Sequence, residues 1–586
     1  MRFLRHIPKL RPIPAIQHTR ASPIATLAVL RMASPAPTPA TAPPQTGAPQ
    51  TTPAAQDMQN RKRGAGQGPR SSRKQKKNKR ERNMAEGSSE EVLMADIEAL
   101  AKTLEPAEGS APDETPLPAE GSEVDLKVLA LSSTGDGLAV HEPSPRIYTV
   151  SFVAPGDVVR VKVYRHLREG YSVADYISIT TPSALRDDSL IKCKYFASCS
   201  GCQFQMLPYD EQLRHKRTIV EKAYRNFSQL PPELVPAVAP TIGSPLQYGY
   251  RTKLTPHFDG PPGYHPSKKK SKQVPFNACP DIGFMQKGKR KVLDIEDCPI
   301  GTDAVRKGLV RERARMRDEF ANYSRGATIL LRETTDRYKS AAEVPEALPA
   351  DSVRVEGDDG RVDVKSCVTD SNATTTEYIG DQVFTNPAGS FFQNNNSILP
   401  RFTEYIRSHV LPPPATTTTS SSSSAPHEIK YLIDAYSGSG LFTISLSTLF
   451  TSSIGIDIAD KSITSARTNA RLNGLAPENC TFLAADARAL FASVKFPAAE
   501  TAVVLDPPRK GCDADFLGQL LRFGPRRVVY VSCNVHTQAR DVGMLVRGEG
   551  GDGARYAVES LVGFDFFPQT GHVEGVAVLN RVDESE

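Results

Sequence analysis

The sequence predicts an α/β protein whose last third is a doubly wound parallel sheet, preceded by a small β-barrel and a mixed central segment. Three observations carry this. Apolar runs around Tyr431–Ala435, Ser453–Asp457, Phe482–Asp486 and Val503–Asp506 alternate with helix-like segments, the pattern of β–α units in a parallel sheet. A fifth run, Arg527 to Val531, is β-branched and too short for a helix, and it delivers Cys533 just past its carboxyl end. In open α/β sheets that edge is where ligands bind. Upstream, between Glu123 and Val163, alternating segments separated by glycine turns suggest a five-stranded barrel of OB type.

The 586 residues leave room for two or three domains, and a net charge of +6 with a pI near 8.7 suits a nucleic-acid partner without demanding one. Nine cysteines, odd in number and unevenly spread, argue against a secreted disulfide framework. No apolar run approaches the roughly 18 residues of a membrane span, so a soluble intracellular protein with no membrane partner is expected.

Residues 1–120 read as a disordered targeting tail and basic linker, too poor in apolar side chains to offset ordering entropy. No acid precedes Asp57, while Arg2, Arg5, Lys9, Arg11, Arg20 and Arg31 interleave with apolar residues, the composition of a mitochondrial transit peptide. Arg61-Lys62-Arg63 and the block from Arg70 to Arg82 read as a nuclear-localisation or RNA-attracting arm. A start at Met32 omits the transit-like stretch, so mitochondrial and nuclear or cytoplasmic forms are expected. Only Glu90 to Leu104 has the makings of a short helix.

Residues 121–182 form the barrel, with Lys162, Arg165, Arg168 and Tyr171 as a basic, aromatic rim for single-stranded nucleic acid. Residues 183–385 form the central domain. There Cys193, Cys199 and Cys202 lie close together, with Ser and Gly opening the turn, a pattern that holds a metal ion or an iron–sulfur cluster. A fourth ligand is needed; Cys298 is best placed by context, and Cys279 competes. Residues 386–586 form the last domain, with a low-complexity insertion at 412–428.

In that domain, the strand ending at Asp434 leads through Tyr436-Ser437-Gly438-Ser439-Gly440 into a helix. Glycines admit a ligand to the backbone, and the helix amino terminus favours an anion. Asp457, about 20 residues on, ends the next strand where a carboxylate holds ribose hydroxyls, and Asp486 ends a third. The turn lacks the full dinucleotide glycine pattern, so a smaller adenosyl ligand fits better than NAD. Asp506-Pro507-Pro508-Arg509 leaves the fourth strand as a stiff loop presenting two polar groups. Glu574, beyond the apolar stretch at Phe566, has surroundings that raise a carboxyl pKa and suit a base.

Five ordered motifs carry a resemblance: Gln393 in Ser-Phe-Phe-Gln-Asn-Asn-Asn, Asp-Ala-Tyr-Ser-Gly-Ser-Gly, Asp-Pro-Pro-Arg, Val-Ser-Cys-Asn and His-Val-Glu. Together they resemble the RNA (uracil-5-)-methyltransferase family, from about Glu123 to the end. The resemblance implies a Rossmann-like class I methyltransferase domain, a TRAM-type RNA-binding barrel and S-adenosylmethionine as cofactor. It implies Cys533 as the nucleophile that adds to C6 of uracil and Glu574 as the base that removes the C5 proton. Gln393, Tyr436, Asp457 and Asp506 are implied cofactor contacts, with Asp434, Gly438, Gly440 and Asp486 in second rank, and Arg509 is an implied substrate contact. The cysteine group resembles the four-iron cluster of the family's rRNA-modifying branch, whereas the targeting signals imply a eukaryotic member, one that resembles the fungal tRNA-modifying branch forming 5-methyluridine in the T-loop; a monomer acting on tRNA is expected. Bacterial members usually carry Pro where this chain has Val535 and His where it has Gln569; neither change removes a reacting group. An rRNA substrate, or a catalytically idle RNA-binding or tRNA-folding factor, are the alternatives. A cytosine-5 enzyme is disfavoured, since the proline loop lacks a second cysteine.

Overall fold

The computed structural model describes residues 87–104, 116–261, 275–413, 428–485, 491, 494–549 and 553–583. The transit-like stretch, Met32, both basic blocks, residues 414–427 of the low-complexity insertion and Asp486 lie outside these residues.

Helix α1 (Ser89–Leu104) forms where the sequence allows a short helix within residues 1–120, and it is docked on the barrel. Its Ile97 packs with Leu138, Ile147 and Tyr171 of the barrel, and Leu93, Met94 and Leu100 flank that cluster. The barrel comprises β1 (Glu123–Leu131), β2 (Gly137–His141), β3 (Ser144–Val150), β4 (Val158–His166) and β5 (Tyr171–Thr181), closed in the order β1-β2-β3-β5-β4. Alternation fills it: Leu126, Val128, Tyr148, Val150, Val159, Val161 and Val163 point inward. Lys162, Arg165 and Arg168 are exposed, as expected of a rim, but Tyr171 is not. It is 2 % exposed under α1, and the solvent-facing aromatic on β4 is Tyr164.

The carboxyl-terminal unit is a seven-stranded sheet. Its strands are β6 (Tyr431–Ala435), β7 (Ser452–Asp457), β8 (Cys480–Ala484), β9 (Thr501–Leu505), β10 (Arg527–Ser532), β11 (Arg555–Phe564) and β12 (Glu574–Val582). The spatial order is β8-β7-β6-β9-β10-β12-β11, with β6 to β10 parallel and β12 antiparallel between β10 and β11. Both faces are covered, which is why these strands read as continuous apolar runs. Leu432, Val504, Val529 and Val531 meet α4 (Leu399–His409), α5 (Leu441–Leu446) and α6 (Asp460–Leu472) on one side. Ile433, Ala435, Val503, Leu505, Val528 and Tyr530 meet α7 (Ala514–Phe523) and α8 (Val535–Arg547) on the other. The chain runs outward from β6 to β8, then returns to β9 on the opposite side of β6. The strand order therefore reverses between β6 and β9, and a crevice opens beyond their carboxyl ends.

Residues 183–385 do not stay together as one central unit. Helix α2 (Tyr209–Phe227) buries Ile219, Val220, Ala223 and Tyr224 in the α7–α8 layer, and Val238 and Ile242 bridge to β11 at Leu561 and Phe564. The hairpin of Thr374–Ile379 and Gln382–Pro387 is anchored to α6, where Asn469 Oδ1 accepts from Thr385 N at 2.8 Å. What remains is a sheet built on Leu331–Tyr338 and Val362–Val368, covered by α3 (Asp303–Glu319) through Val305, Leu309 and Met316.

Candidate active site

Strand register assembles the site. Ser532 on β10 pairs with Gly575 on β12, so the next residues outward, Cys533 and Glu574, are brought side by side. Leu505 pairs with both Ala435 and Tyr530, which sets Asp506 beside Tyr436 and opposite Val531, two residues before Cys533. Gln538 on α8 locks this register by donating to Tyr530 O at 2.7 Å and Gly575 O at 3.1 Å. A Cβ at position 575 would lie 2.5 Å from Gln538 Oε1, so the close approach requires glycine there.

These residues line one cavity of about 1330 Å³, with Gln393, Tyr436, Ser437, Gly438, Asp457, Asp506, Arg509, Cys533 and Glu574 on its walls. Small-molecule sites span roughly 300–1,000 Å³, so the space suits two ligands meeting at Cys533 rather than one. One end is shaped for a nucleoside. Asp457 Oδ2 accepts from Gly438 N at 3.0 Å and its Oδ1 from Ala459 N at 2.8 Å, which holds the carboxylate rigidly at the cavity wall. Gly438 has φ 54° and open space where a Cβ would project, whereas Ser437 Oγ is buried on the wall with no partner among the described residues. Tyr436 sits at φ 65° with its ring 5.3 Å from that of Phe516, a strained backbone of the kind tolerated where a side chain must be aimed.

Two second-rank expectations are corrected. Asp434 is fully buried beneath the turn, its Oδ2 accepting from Thr443 N and Oγ1, so it braces α5 from below and does not reach the cavity wall. Gly440 points at Phe482 and Ile444, with 3.1 Å left for a Cβ, and serves close packing.

The other end is electrostatically tense. Burial pushes the Cys533 thiol up to about 12, and the charges of Glu574 and Asp506 add to the rise, while the Arg509 guanidinium opposes it by charge and hydrogen bond. Burial, with Asp434 adding, raises Asp506 to about 7. Glu574 is driven well above the usual carboxylate range, first by burial and then by Asp506, with Arg509 pulling the other way. Burial and the Arg509 charge depress His572 to about 4, so its ring is neutral near pH 7 and Nε2 accepts from Arg509 Nη2 at 3.0 Å. His572 therefore aims Arg509, a pairing that spacing could not reveal. Arg251, 5.3 Å over the Phe567 ring, also lines the cavity; no motif marks it.

Cys512 is a core thiol, 4 % exposed and 3.7 Å from Tyr530 OH, and is not on the cavity wall. Gln569 acts as a joint: its amide and side chain bond Gln212, and its carbonyl accepts from Gln203 N at 2.7 Å. Below it, fully buried Lys216 pairs with Asp565 and donates to Phe567 O at 3.0 Å, tying the loop that carries His572 to α2. Removing one partner of such a pair leaves an uncompensated buried charge. Lys216→Ala should lower unfolding free energy by about 3–5 kcal/mol, and Lys216→Met combined with Asp565→Leu by much less. Denaturant titration measures both.

Of the candidate metal ligands, Cys193, Cys199, Cys202 and Cys298 are close enough to raise one another's pKa, whereas exposed Cys279 lies apart against Met316 O. Among the described residues, however, no group of three or more ligating side chains is placed to hold a metal ion. Cys298 leans into the apolar cluster around Leu254 and Val305, and desolvation pushes the half-buried Cys202 thiol up to about 12.

A family profile described as tRNA (Uracil-5-)-methyltransferase matches residues 421–582. The Schizosaccharomyces pombe protein named tRNA (uracil(54)-C(5))-methyltransferase is 42 % identical over 511 residues, covering 87 % of this chain and 86 % of its own. Its Saccharomyces cerevisiae namesake is 40 % identical over 488 residues, covering 78 % and 73 %. The crystal structure of Pyrococcus abyssi tRNA (uracil-54, C5)-methyltransferase in complex with S-adenosyl-L-homocysteine shares the fold, with a TM-score of 0.51 at 24 % identity over 78 % of this chain and all of that one. A likeness to the fungal proteins that runs through nearly nine-tenths of the chain, on a sheet whose edge gathers the expected cysteine and glutamate, leaves one conclusion: the chain belongs to the tRNA (uracil-5-)-methyltransferase family.

Proposed function

We propose that this chain methylates C5 of uridine 54 in the T-loop of tRNA, using S-adenosylmethionine. The observation that carries the reading is the pairing of Cys533 and Glu574 at one end of a two-ligand cavity whose other end is built for a nucleoside. The names of the two fungal relatives supply the substrate.

S-adenosylmethionine, when bound, supplies an electrophilic methyl group. Gln393, Tyr436, Gly438, Ser437 and Asp457 would hold it, and Asp506 would border it and the base. Uracil C5 is a poor nucleophile. Cys533 Sγ adds to C6 as its proton leaves toward the carboxylate pair, and the electrons of the C5–C6 double bond move onto C5 and the O4 carbonyl. Arg509, aimed by His572, favours the thiolate and borders the base. After C5 is methylated, Glu574 takes the C5 proton, the double bond reforms and the Sγ–C6 bond breaks. The uridine must leave its stack to enter the cavity. The barrel is read as an OB-type TRAM module that grips the RNA backbone through Lys162, Arg165 and Arg168 beside Tyr164.

Glu574 works as a base only when ionised, and the buried pair favours its protonated form. Turnover should therefore rise with pH across the neutral range and fall below about 7, where Asp506 also takes a proton. Asp506→Asn removes a like charge and so lowers the pKa of Glu574. The acidic limb of the pH–rate profile should move to lower pH, whatever happens to its height.

An iron–sulfur cluster on Cys193, Cys199, Cys202 and Cys298 rests on spacing and on the mutual approach of the thiols, and no step above passes through it. Iron and acid-labile sulfide in anaerobically purified protein, lost in Cys202→Ser, is its test. The transit-like start and basic block support delivery of Met1 and Met32 forms to the mitochondrion and to the nucleus or cytoplasm. Imaging of fluorescent fusions to each start decides that. Monomeric action is tested by light scattering.

A further inference from the structure

The segment from Gly87 to Leu104 touches more than the barrel. Asn534 directly follows Cys533 and caps α8, its Oδ1 accepting from His536 N at 3.2 Å. Its Nδ2 donates both to Arg509 O at 2.9 Å and to Gly87 O at 3.1 Å. Thr537 Oγ1 reinforces the same corner, donating to Arg509 O at 3.1 Å and Asn534 O at 3.0 Å. Gly87 has φ 68°, and a Cβ there would lie 2.4 Å from Thr537 Cγ2. This close seat therefore takes only glycine. The carbonyl it presents sits behind the turn that carries the thiol.

The seat is held by the middle of α1. Asp96, 3 % exposed, accepts from Ser133 N on the barrel and lies 3.4 Å from Lys222 Nζ on α2, which also donates to Leu131 O at 3.1 Å. Val92 and Ile97 are 3 % and 4 % exposed. A buried acid bonded to two separate elements makes a rigid anchor, and burial of the apolar face fixes the helix orientation. The segment thus spans three parts: the barrel, α2, and the corner where the proline loop meets the turn after Cys533.

We propose that Gly87–Leu104 is a strut for catalysis: docked α1 holds Asn534, and through it the Arg509 loop, in the position that keeps the guanidinium on the Cys533 thiol. Gly87 and Ile97 are positioning residues; neither touches substrate. Both the Met1 and Met32 forms retain the strut, so its removal is not an isoform difference. The kinetic consequence rests on the function proposed above, but the effect on the thiol does not.

The test compares full-length wild type, Gly87→Val, Ile97→Asp and Ile97→Val. Cys533 reactivity is followed as iodoacetamide labelling of its peptide against pH, and methyl transfer as the single-turnover rate at saturating tRNA. In Gly87→Val and Ile97→Asp the labelling midpoint moves to higher pH, because Arg509 no longer favours the thiolate. The single-turnover rate falls about tenfold, within what a misplacement of 1 Å can cost, with the KM for S-adenosylmethionine unchanged because none of Gln393, Tyr436, Ser437, Gly438 and Asp457 belongs to the corner that Asn534 ties to Gly87. Ile97→Val retains both properties. Limited proteolysis within 89–104 reports release of the helix. A released helix with wild-type labelling and rate overturns the proposal, as does a loss shared between KM and rate with labelling unmoved. If wild type itself transfers no methyl group, the functional reading fails and the labelling shift still decides the strut.

Discussion

Cys533→Ala should abolish methyl transfer, lowering turnover on the order of 10⁴- to 10⁶-fold, as removal of a covalent nucleophile does elsewhere. The reason is electronic. Without a sulfur bond at C6, C5 has no carbanion character, and positioning alone does not make it attack a methyl group. The side chain is half-buried at a strand end and packs into neither core layer, so the variant should melt within about 0.5 kcal/mol of wild type. S-adenosylmethionine affinity should also hold, because the turn at Ser437–Gly438 and the Asp457 carboxylate are untouched. Equilibrium dialysis and a labelled-methyl assay separate the two quantities. A variant that turns over while Cys512→Ala does not would move the nucleophile to Cys512, against its burial and its absence from the cavity wall.

Glu574→Gln should have a different signature. The Sγ–C6 bond breaks only when electrons return from C5, and they return only when the C5 proton is removed. Addition and methyl transfer then proceed, elimination stalls, and the protein stays linked to methylated RNA. Turnover should fall by about 10²- to 10⁴-fold, the usual contribution of a positioned base. A slow band carrying the methyl label should appear on a denaturing gel. The substitution is gentle on the fold, since burial favours the protonated form of the Glu574 carboxyl and Gln has its shape. Normal turnover, or loss of both methyl transfer and the linked band, contradicts the role.

Much of the site was legible because a parallel sheet concentrates function at one edge. Once the runs ending at Ala435, Leu505 and Ser532 are read as neighbouring strands, Tyr436, Asp506 and Cys533 must share that edge. Glu574 was recognisable by motif, but its place beside Cys533 depends on an antiparallel strand slotted between β10 and β11, an order no local pattern encodes. Asp434 misled because a strand-end acid can face up toward a ligand or down toward the next helix. Only the bonds to Thr443 show which. Arg251 and His572 act through groups remote in sequence, a cation over the Phe567 ring and a neutral imidazole on Arg509. Helix α1 was read as an isolated short segment within a tail, since its partners, Tyr171 and Lys222, lie on elements whose faces had been assigned to solvent or left unassigned. The same error placed Tyr171 on the rim. The cysteines show what spacing leaves open: Cys193, Cys199, Cys202 and Cys298 do approach one another, and their spacing alone does not say what they hold.

The central claim is most directly tested with purified protein, labelled S-adenosylmethionine and unmodified tRNA, beside tRNA whose T-loop uridine 54 is changed to cytidine. Label recovered as 5-methyluridine from the first RNA and absent from the second is the result this account predicts. Label in ribosomal RNA and none in tRNA, or equal label in both tRNAs, would contradict it.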